Sequence, residues 1–354
     1  MHLGTHSIPQ SCLSLETERL EELTIPVGHL HLETGAEIYV ELRTWIAGPW
    51  PPTERVIWVI HALTGSADVS QWWPNVWRTL NLSSRGYTVI SANLPGSCYG
   101  STGPLSVSPH TGKPYYRDFP LLTTRDAAVA LDKLRQALRI DEIHALIGAS
   151  LGAQVGLEWL VLAPQVFDKA MLIAGNAFHS AWGIAFNEAQ RMAIEADPTY
   201  FQDTPLGGMA GMRAARATAM LSYRSYFIYN HRQTHPTNLS ADPLPAASYQ
   251  RYQGEKLARR FNAYSYVALT RMMDSHHIAR GRGVTAAEVL QNLPMPVAYV
   301  GIPSDILYPL EEQIFLRDHT PQGKLITLDS PFGHDAFLIE EAKMAEIIGQ
   351  FLYE

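Results

Sequence analysis

The chain is poor in cysteine, in charge and in long apolar runs, and each shortage removes a class of protein. Its 354 residues hold two cysteines, Cys12 and Cys98. That is too few for a disulfide framework, and they lack the paired spacing of a zinc site. A reduced, cytoplasmic setting is expected, with no bound metal. Charged residues make up only 17% against 46% hydrophobic, the balance of a well-buried globular protein and not of a disordered one. The formal net charge of −7 disfavours nucleic acid, whose phosphates would be repelled. It leaves room for a small anion met by a local arginine. The longest apolar stretch, "VIWVIHAL" (56–63), falls far short of the ~20 residues needed to cross a bilayer, so no membrane partner is expected. The opening "MHLGTHSIPQSCLSLETERL" has no basic start followed by an apolar block, so no secretory signal is expected. No internal repeat or low-complexity segment stands out.

What is present is alternation. Short β-rich runs are "HLHLETGAEIYVELRTW" (an early hairpin), "VIWVIHAL", "YTVISANL", "IHALIGAS", "KAMLIAG", "PVAYVGI" and "KLITLDS". The later ones are continuously apolar, as strands buried on both faces are. Helical patterns lie between them: Ala127, Leu131, Leu134 and Leu138 step by 4, 3 and 4 along one helix face. This is an α/β pattern, a mainly parallel sheet flanked by helices on both faces. The alternation stops after "KAMLIAGNA" and resumes at "MPVAYVGI"; the stretch between is too long for a structureless loop and reads as helices with polar breaks. Residues 1–177 are therefore expected to form the first part of the core. Residues 178–293 form an inserted helical lid, and 294–354 the second part of the core.

Within "LIGASLGAQ" (146–154), Ser150 stands between Gly148 and Gly152, after a strand and before a helix. That is the setting of a nucleophile elbow, where side-chain-free positions let the turn close. A serine hydroxyl needs a base, and the base needs an orienting acid. On this elbow the chain order is serine, acid, histidine. Asp305 in "GIPSDILYP" follows one strand, and His334 in "LDSPFGHDAFL" follows the next, so order and loop placement both fit. Oxyanion donors are expected from the N–H groups of Leu151, directly after the nucleophile, and of Leu63 in "HALTGS". The adjacent histidines of "DSHHIARGRG" do not share a helix face, and Cys98 has no elbow; both read as structural.

Several stretches together resemble the homoserine O-acetyltransferase family of acyltransferases. They are "HALTGSADV", "GSCYGSTGP", "TGKPYYRDFPLLTTRD", "GIAFNEAQRMAIEADP", "SYQRYQGEKLARRFNAYSYVALTRMMD", "SDILYPL" and "GHDAFL", running from about residue 30 to the C-terminus. The resemblance implies an α/β-hydrolase fold and acetyl transfer from acetyl-CoA, as donor substrate, to the hydroxyl of L-homoserine, an early step of methionine synthesis. It also implies a homodimer with no metal or permanently bound cofactor. Carried over by position, Ser150 is the nucleophile, Asp305 the orienting acid and His334 the general base. Arg216 holds the substrate carboxylate, as a planar fork can, and Asp335 faces the ammonium. The plainer readings are a lid salt bridge for Arg216 and a turn or cap residue for Asp335. Many relatives carry Gly-Gly-Ser-Met-Gly-Gly where this chain has Gly148-Ala149-Ser150-Leu151-Gly152-Ala153. The change bears on the acyl pocket and so on the choice of acyl donor. A succinyl donor or an L-serine acceptor stays open, because one methylene of pocket difference is worth only ~1–3 kcal/mol, and so does plain hydrolysis, which would use the same triad.

Overall fold

A computed structural model describes residues 21–52, 55–233 and 244–353; Cys12 and the N-terminal stretch around it lie outside them. Eight strands make one sheet: β1 (Glu21–His31), β2 (Glu37–Ala47), β3 (Val56–Ile60), β4 (Thr88–Ala92), β5 (Ala145–Ala149), β6 (Ala170–Ile173), β7 (Val297–Gly301) and β8 (Gly323–Thr327). Their spatial order is β1-β2-β4-β3-β5-β6-β7-β8. The β1–β2 and β2–β4 pairs are antiparallel, and every other pair is parallel.

The continuous apolar runs are the central strands, and pleating divides each between two cores. Trp58 and Ile60 of β3 face one apolar cluster, with Trp159 and Leu131, while Ile57 and Val59 face the other, with Trp73 and Ile348. Trp58 and Trp159 meet edge to face at 5.0 Å, a contact that adds about 0.5–1.5 kcal/mol to their burial. The expected helices cover the faces: Thr124–Ala137 and Leu151–Leu162 on one side, Glu341–Tyr353 on the other.

The early hairpin is longer than the pattern from His29 suggests, because β1 begins at Glu21. Pro26 interrupts that run, and the register shifts between Pro26 and Gly28. An edge strand tolerates such a bulge where a central one would not.

Between β6 and β7 the described residues hold the helices Ala181–Glu195, Met209–Tyr223, Tyr226–Arg232, Pro245–Ala258, Ala263–Asp274 and Ala286–Gln291. The insertion is tied off at its base. Ile278 N–H donates to the Ala177 carbonyl at 3.0 Å and His179 N–H to that of His276 at 2.9 Å. The two adjacent histidines serve this seam. His276 is buried against the Asn176 carbonyl at 2.9 Å, and His277 stacks on Phe178. No helix among the described residues is long and apolar enough to cross a membrane.

Candidate active site

In a parallel sheet the loops at the C-terminal strand ends gather on one edge. The residues after β3, β5, β7 and β8 meet there, although Ser150 and His334 alone lie 184 positions apart in the chain. Ser150 ends β5 and caps the Leu151–Leu162 helix with φ 56° and ψ −120°. A non-glycine residue in that region costs on the order of 1–3 kcal/mol and persists only where its surroundings enforce it. The flanking glycines do the enforcing. A Cβ on Gly148 would lie 2.3 Å from the Gly152 carbonyl oxygen, and one on Gly152 would lie 2.2 Å from that of Ile60. The Ser150 N–H is held by the Ile173 carbonyl at 2.9 Å.

His334 Nε2 lies 2.9 Å from Ser150 Oγ, and His334 Nδ1 lies 2.7 Å from Asp305 Oδ2. The network sets the neutral tautomer: Nδ1–H donates to Asp305 and Nε2 accepts from the serine hydroxyl. Asp305 is fixed in turn, its Oδ1 accepting from the N–H groups of Leu307 and Tyr308 at 2.8 and 3.0 Å. Tyr308 stacks on the imidazole at 5.1 Å, and Phe337 meets it edge-on. Ser304, unnoticed in the sequence, joins the two loops: its Oγ accepts from Gly333 N–H at 3.0 Å and donates to the Ser330 carbonyl at 2.6 Å. Burial works against a charged imidazole at His334. The charge and hydrogen bond of Asp305, helped by Asp335, outweigh it, so the pKa lies above the ordinary histidine value. Such a relay can take a proton from a hydroxyl and return it to a leaving group.

The loop after β3 is pinned at three carbonyls. That of Ala62 accepts from Gly65 N–H at 2.9 Å and His61 Nδ1 at 2.8 Å, that of Thr64 from Arg260 Nη1 at 2.6 Å, and that of Ser66 from Trp72 Nε1 at 2.9 Å. His61 also accepts from Leu94 N–H at 3.0 Å, and burial lowers its pKa to about 4, so it stays neutral and keeps both bonds. The Leu63 N–H in the middle of this loop donates to no described group. The Leu151 N–H lies in the first helical turn, where no intrahelical acceptor exists. Neither N–H therefore has an acceptor among the described residues.

A cavity of about 320 Å³ opens beside these loops, with Ala62, Arg216, Met220, Arg224 and Asp335 in its wall. Arg216 has no carboxylate partner among the described residues, and its guanidinium packs over the Tyr223 ring at 5.1 Å. The lid salt bridge is therefore not what it makes. Asp335 lines the cavity next to His334, but it is already paired: Arg224 Nε lies 3.1 Å from its Oδ2. Arg224 is the residue sequence reasoning missed here, and the signal existed. Arg216, Met220 and Arg224 step by four, one stripe of the Met209–Tyr223 helix and its end. Cys98 is removed as a rival nucleophile, since burial raises its thiol pKa to about 12. Among the described residues no three His, Cys, Asp or Glu side chains group as metal ligands would.

Comparison with known proteins agrees with this architecture. The family profile of the alpha/beta hydrolase fold matches residues 55–341. The chain is 47% identical to a homoserine O-acetyltransferase of Cyclobacterium marinum, over 85% of this chain and 86% of that one. It is 43% identical to a homoserine O-acetyltransferase of Chlorobium chlorochromatii, over 84% and 85%. The crystal structure of a homoserine O-acetyltransferase from Staphylococcus aureus superposes with a TM-score of 0.77 at 30% identity, covering 95% of both chains. The chain belongs to the homoserine O-acetyltransferase family, acyltransferases built on the alpha/beta hydrolase fold.

Proposed function

We propose that the protein moves an acetyl group from acetyl-CoA to the hydroxyl of L-homoserine, through an acetyl ester on Ser150, for methionine synthesis. The observation that carries this reading is the Ser150–His334–Asp305 relay beside a cavity with an unpaired guanidinium, Arg216. In the first half-reaction Ser150 Oγ attacks the thioester carbonyl carbon while its proton passes to His334 Nε2. The N–H groups of Leu63 and Leu151 hold the oxyanion. The tetrahedral species collapses, the C–S bond breaks, and the CoA sulfur takes the proton from His334. In the second, the homoserine hydroxyl gives its proton to His334 and attacks the ester, and Ser150 regains the proton as O-acetylhomoserine leaves.

Water competes for the ester, so the acceptor must win by positioning, where effective molarities of ~10⁵ M and above are available. Arg216 would take the carboxylate. Asp335 would take the ammonium, sharing its charge with Arg224. The reading includes a cytoplasmic homodimer, and the exposed apolar side chains Leu206, Leu221, Tyr226 and Phe227 of the insertion support self-association.

The test is thiol release from acetyl-CoA with and without L-homoserine, beside succinyl-CoA and L-serine. Homoserine-dependent release, absent in Ser150→Ala, is expected. Release that ignores the amino acid would make the protein a thioesterase and end this reading.

A further inference from the structure

The cavity beside the triad is the inner chamber of a longer cleft. A second cavity of about 560 Å³ adjoins it. The two share Thr64, Gly65, Trp72, Lys256 and Arg260, which therefore mark their junction. Lys256 and Arg260 are one helical turn apart, at the end of the Pro245–Ala258 helix and just past it. Neither has a carboxylate partner among the described residues, whereas Glu255, beside Lys256, is engaged by Arg213 at 2.7 Å. The carboxylates in the outer chamber are occupied. Glu22 is held by Arg43 at 2.8 Å, and Asp68 accepts from Ser70 and Gln71. In a chain of net charge −7, two exposed cations without carboxylate partners where the two cavities meet form a local positive site.

An amino-acid acceptor offers one carboxylate, and Arg216 is there for it. Lys256 and Arg260 remain. A CoA thioester carries its reacting carbonyl at one end and a phosphorylated nucleotide at the other, so it needs a cleft long enough to separate the two. We propose that Lys256 and Arg260 form an anion subsite at the junction of the two chambers, which holds a phosphate group of the acyl donor while the thioester occupies the inner chamber. This assignment rests on the acetyl-CoA reading above. Arg260 commits Nη1 to the Thr64 carbonyl and to the Tyr99 hydroxyl, which leaves Nε and Nη2 for a ligand. Lys256 has no such second duty, so it is the residue to vary.

The experiment compares acetyl-CoA with S-acetyl-N-acetylcysteamine, which has the same thioester and no phosphate. Lys256→Glu is expected to raise KM for acetyl-CoA about tenfold, as loss and reversal of a charge-assisted contact should, with kcat and the kinetics of the truncated donor unchanged. Lys256→Ala should fall between. An equal shift for both donors, or none for acetyl-CoA, overturns the subsite. Calorimetric titration of CoA into the wild type and Lys256→Glu separates the two readings. Lys256-dependent CoA binding without homoserine-dependent turnover keeps the subsite and ends the acetyltransferase reading. Turnover indifferent to Lys256 does the reverse.

Discussion

Arg260 Nη1 donates to the Thr64 carbonyl at 2.6 Å, and this bond joins the helical insertion to the loop after β3. The loop is the one that offers the Leu63 N–H, so a residue outside the α/β core steadies a group proposed to touch the transition state. Replacing Arg260 by alanine frees one of the three pinned carbonyls. Losing an oxyanion donor outright costs about 2.7–4 kcal/mol; loosening its loop should cost less, about tenfold in kcat. The loss should appear with p-nitrophenyl acetate, a small neutral ester, as well as with acetyl-CoA. A defect confined to acetyl-CoA would assign Arg260 to donor binding alone.

The raised pKa of His334 sets the acid side of the pH profile. The imidazole must be neutral to accept the serine proton, so activity falls as pH drops through its pKa. Burial disfavours the charged ring, and Asp305 more than offsets it, with Asp335 adding. The midpoint in kcat/KM should thus lie above the ordinary histidine value. Asp305→Asn removes the main favourable charge and leaves burial in command, so the residual activity should show a midpoint shifted downward. Its kcat should fall by about 10⁴, the cost of losing the tautomer control in a comparable triad. Glu312, raised to about 7 mainly by burial and interacting with Asp305, titrates nearby. The acid midpoint of Glu312→Gln should therefore stay above the ordinary histidine value if His334 governs it.

Arg216 is the test of acceptor recognition. A buried hydrogen bond to a charged group contributes about 1.5–3 kcal/mol, so Arg216→Ala should raise the apparent KM for homoserine by roughly 10- to 100-fold. KM for acetyl-CoA should move far less. Steady-state kinetics with each substrate varied in turn would show it, and an equal rise for both would remove the carboxylate role.

The strands, the elbow and the order of serine, acid and histidine were legible because each is local: continuous apolar runs, a serine between two glycines, two loop positions after strands. The cleft was not legible in the same way. Lys256 and Arg260 sit at a helix C-terminus, where the helix dipole favours cations whatever their use, so nothing in the sequence singles them out. Only the packing of the insertion over the loop after β3 turns them toward a cavity. The pairing of Asp335 with Arg224 was hidden for a similar reason, since the two lie on different sides of the β7–β8 region of the chain. Within "GMRAARATAMLSYRSYFIYN" the Met209–Tyr223 helix ends at Arg224 without glycine or proline. Ser225 restarts it, its hydroxyl accepting from Ile228 N–H at 3.2 Å, and that capping competes with continuation. At the break the backbone of Arg224 turns extended, and its side chain, on the stripe of Arg216 and Met220, meets Asp335.

Gly152 is where fold and chemistry coincide most tightly. Its φ is not in the left-handed region, so conformational freedom is not the reason for glycine there. The reason is space: a Cβ would lie 2.2 Å from the Ile60 carbonyl oxygen, a backbone atom that cannot rotate away, and 2.9 Å from that of His61. Ile60 ends β3, so moving it would also move the His61-anchored loop. Gly152→Ala should therefore destabilise the fold by about 1–3 kcal/mol, as overpacking of a rigid interior does. It should also lower kcat in the folded fraction, because the β5 turn and the loop after β3 are pushed apart. Chemical denaturation and p-nitrophenyl acetate turnover, read on the same samples, check both. Full activity per folded molecule with reduced stability would mean that the loop after β3 yields independently of the elbow, and the coupling argued here would be wrong.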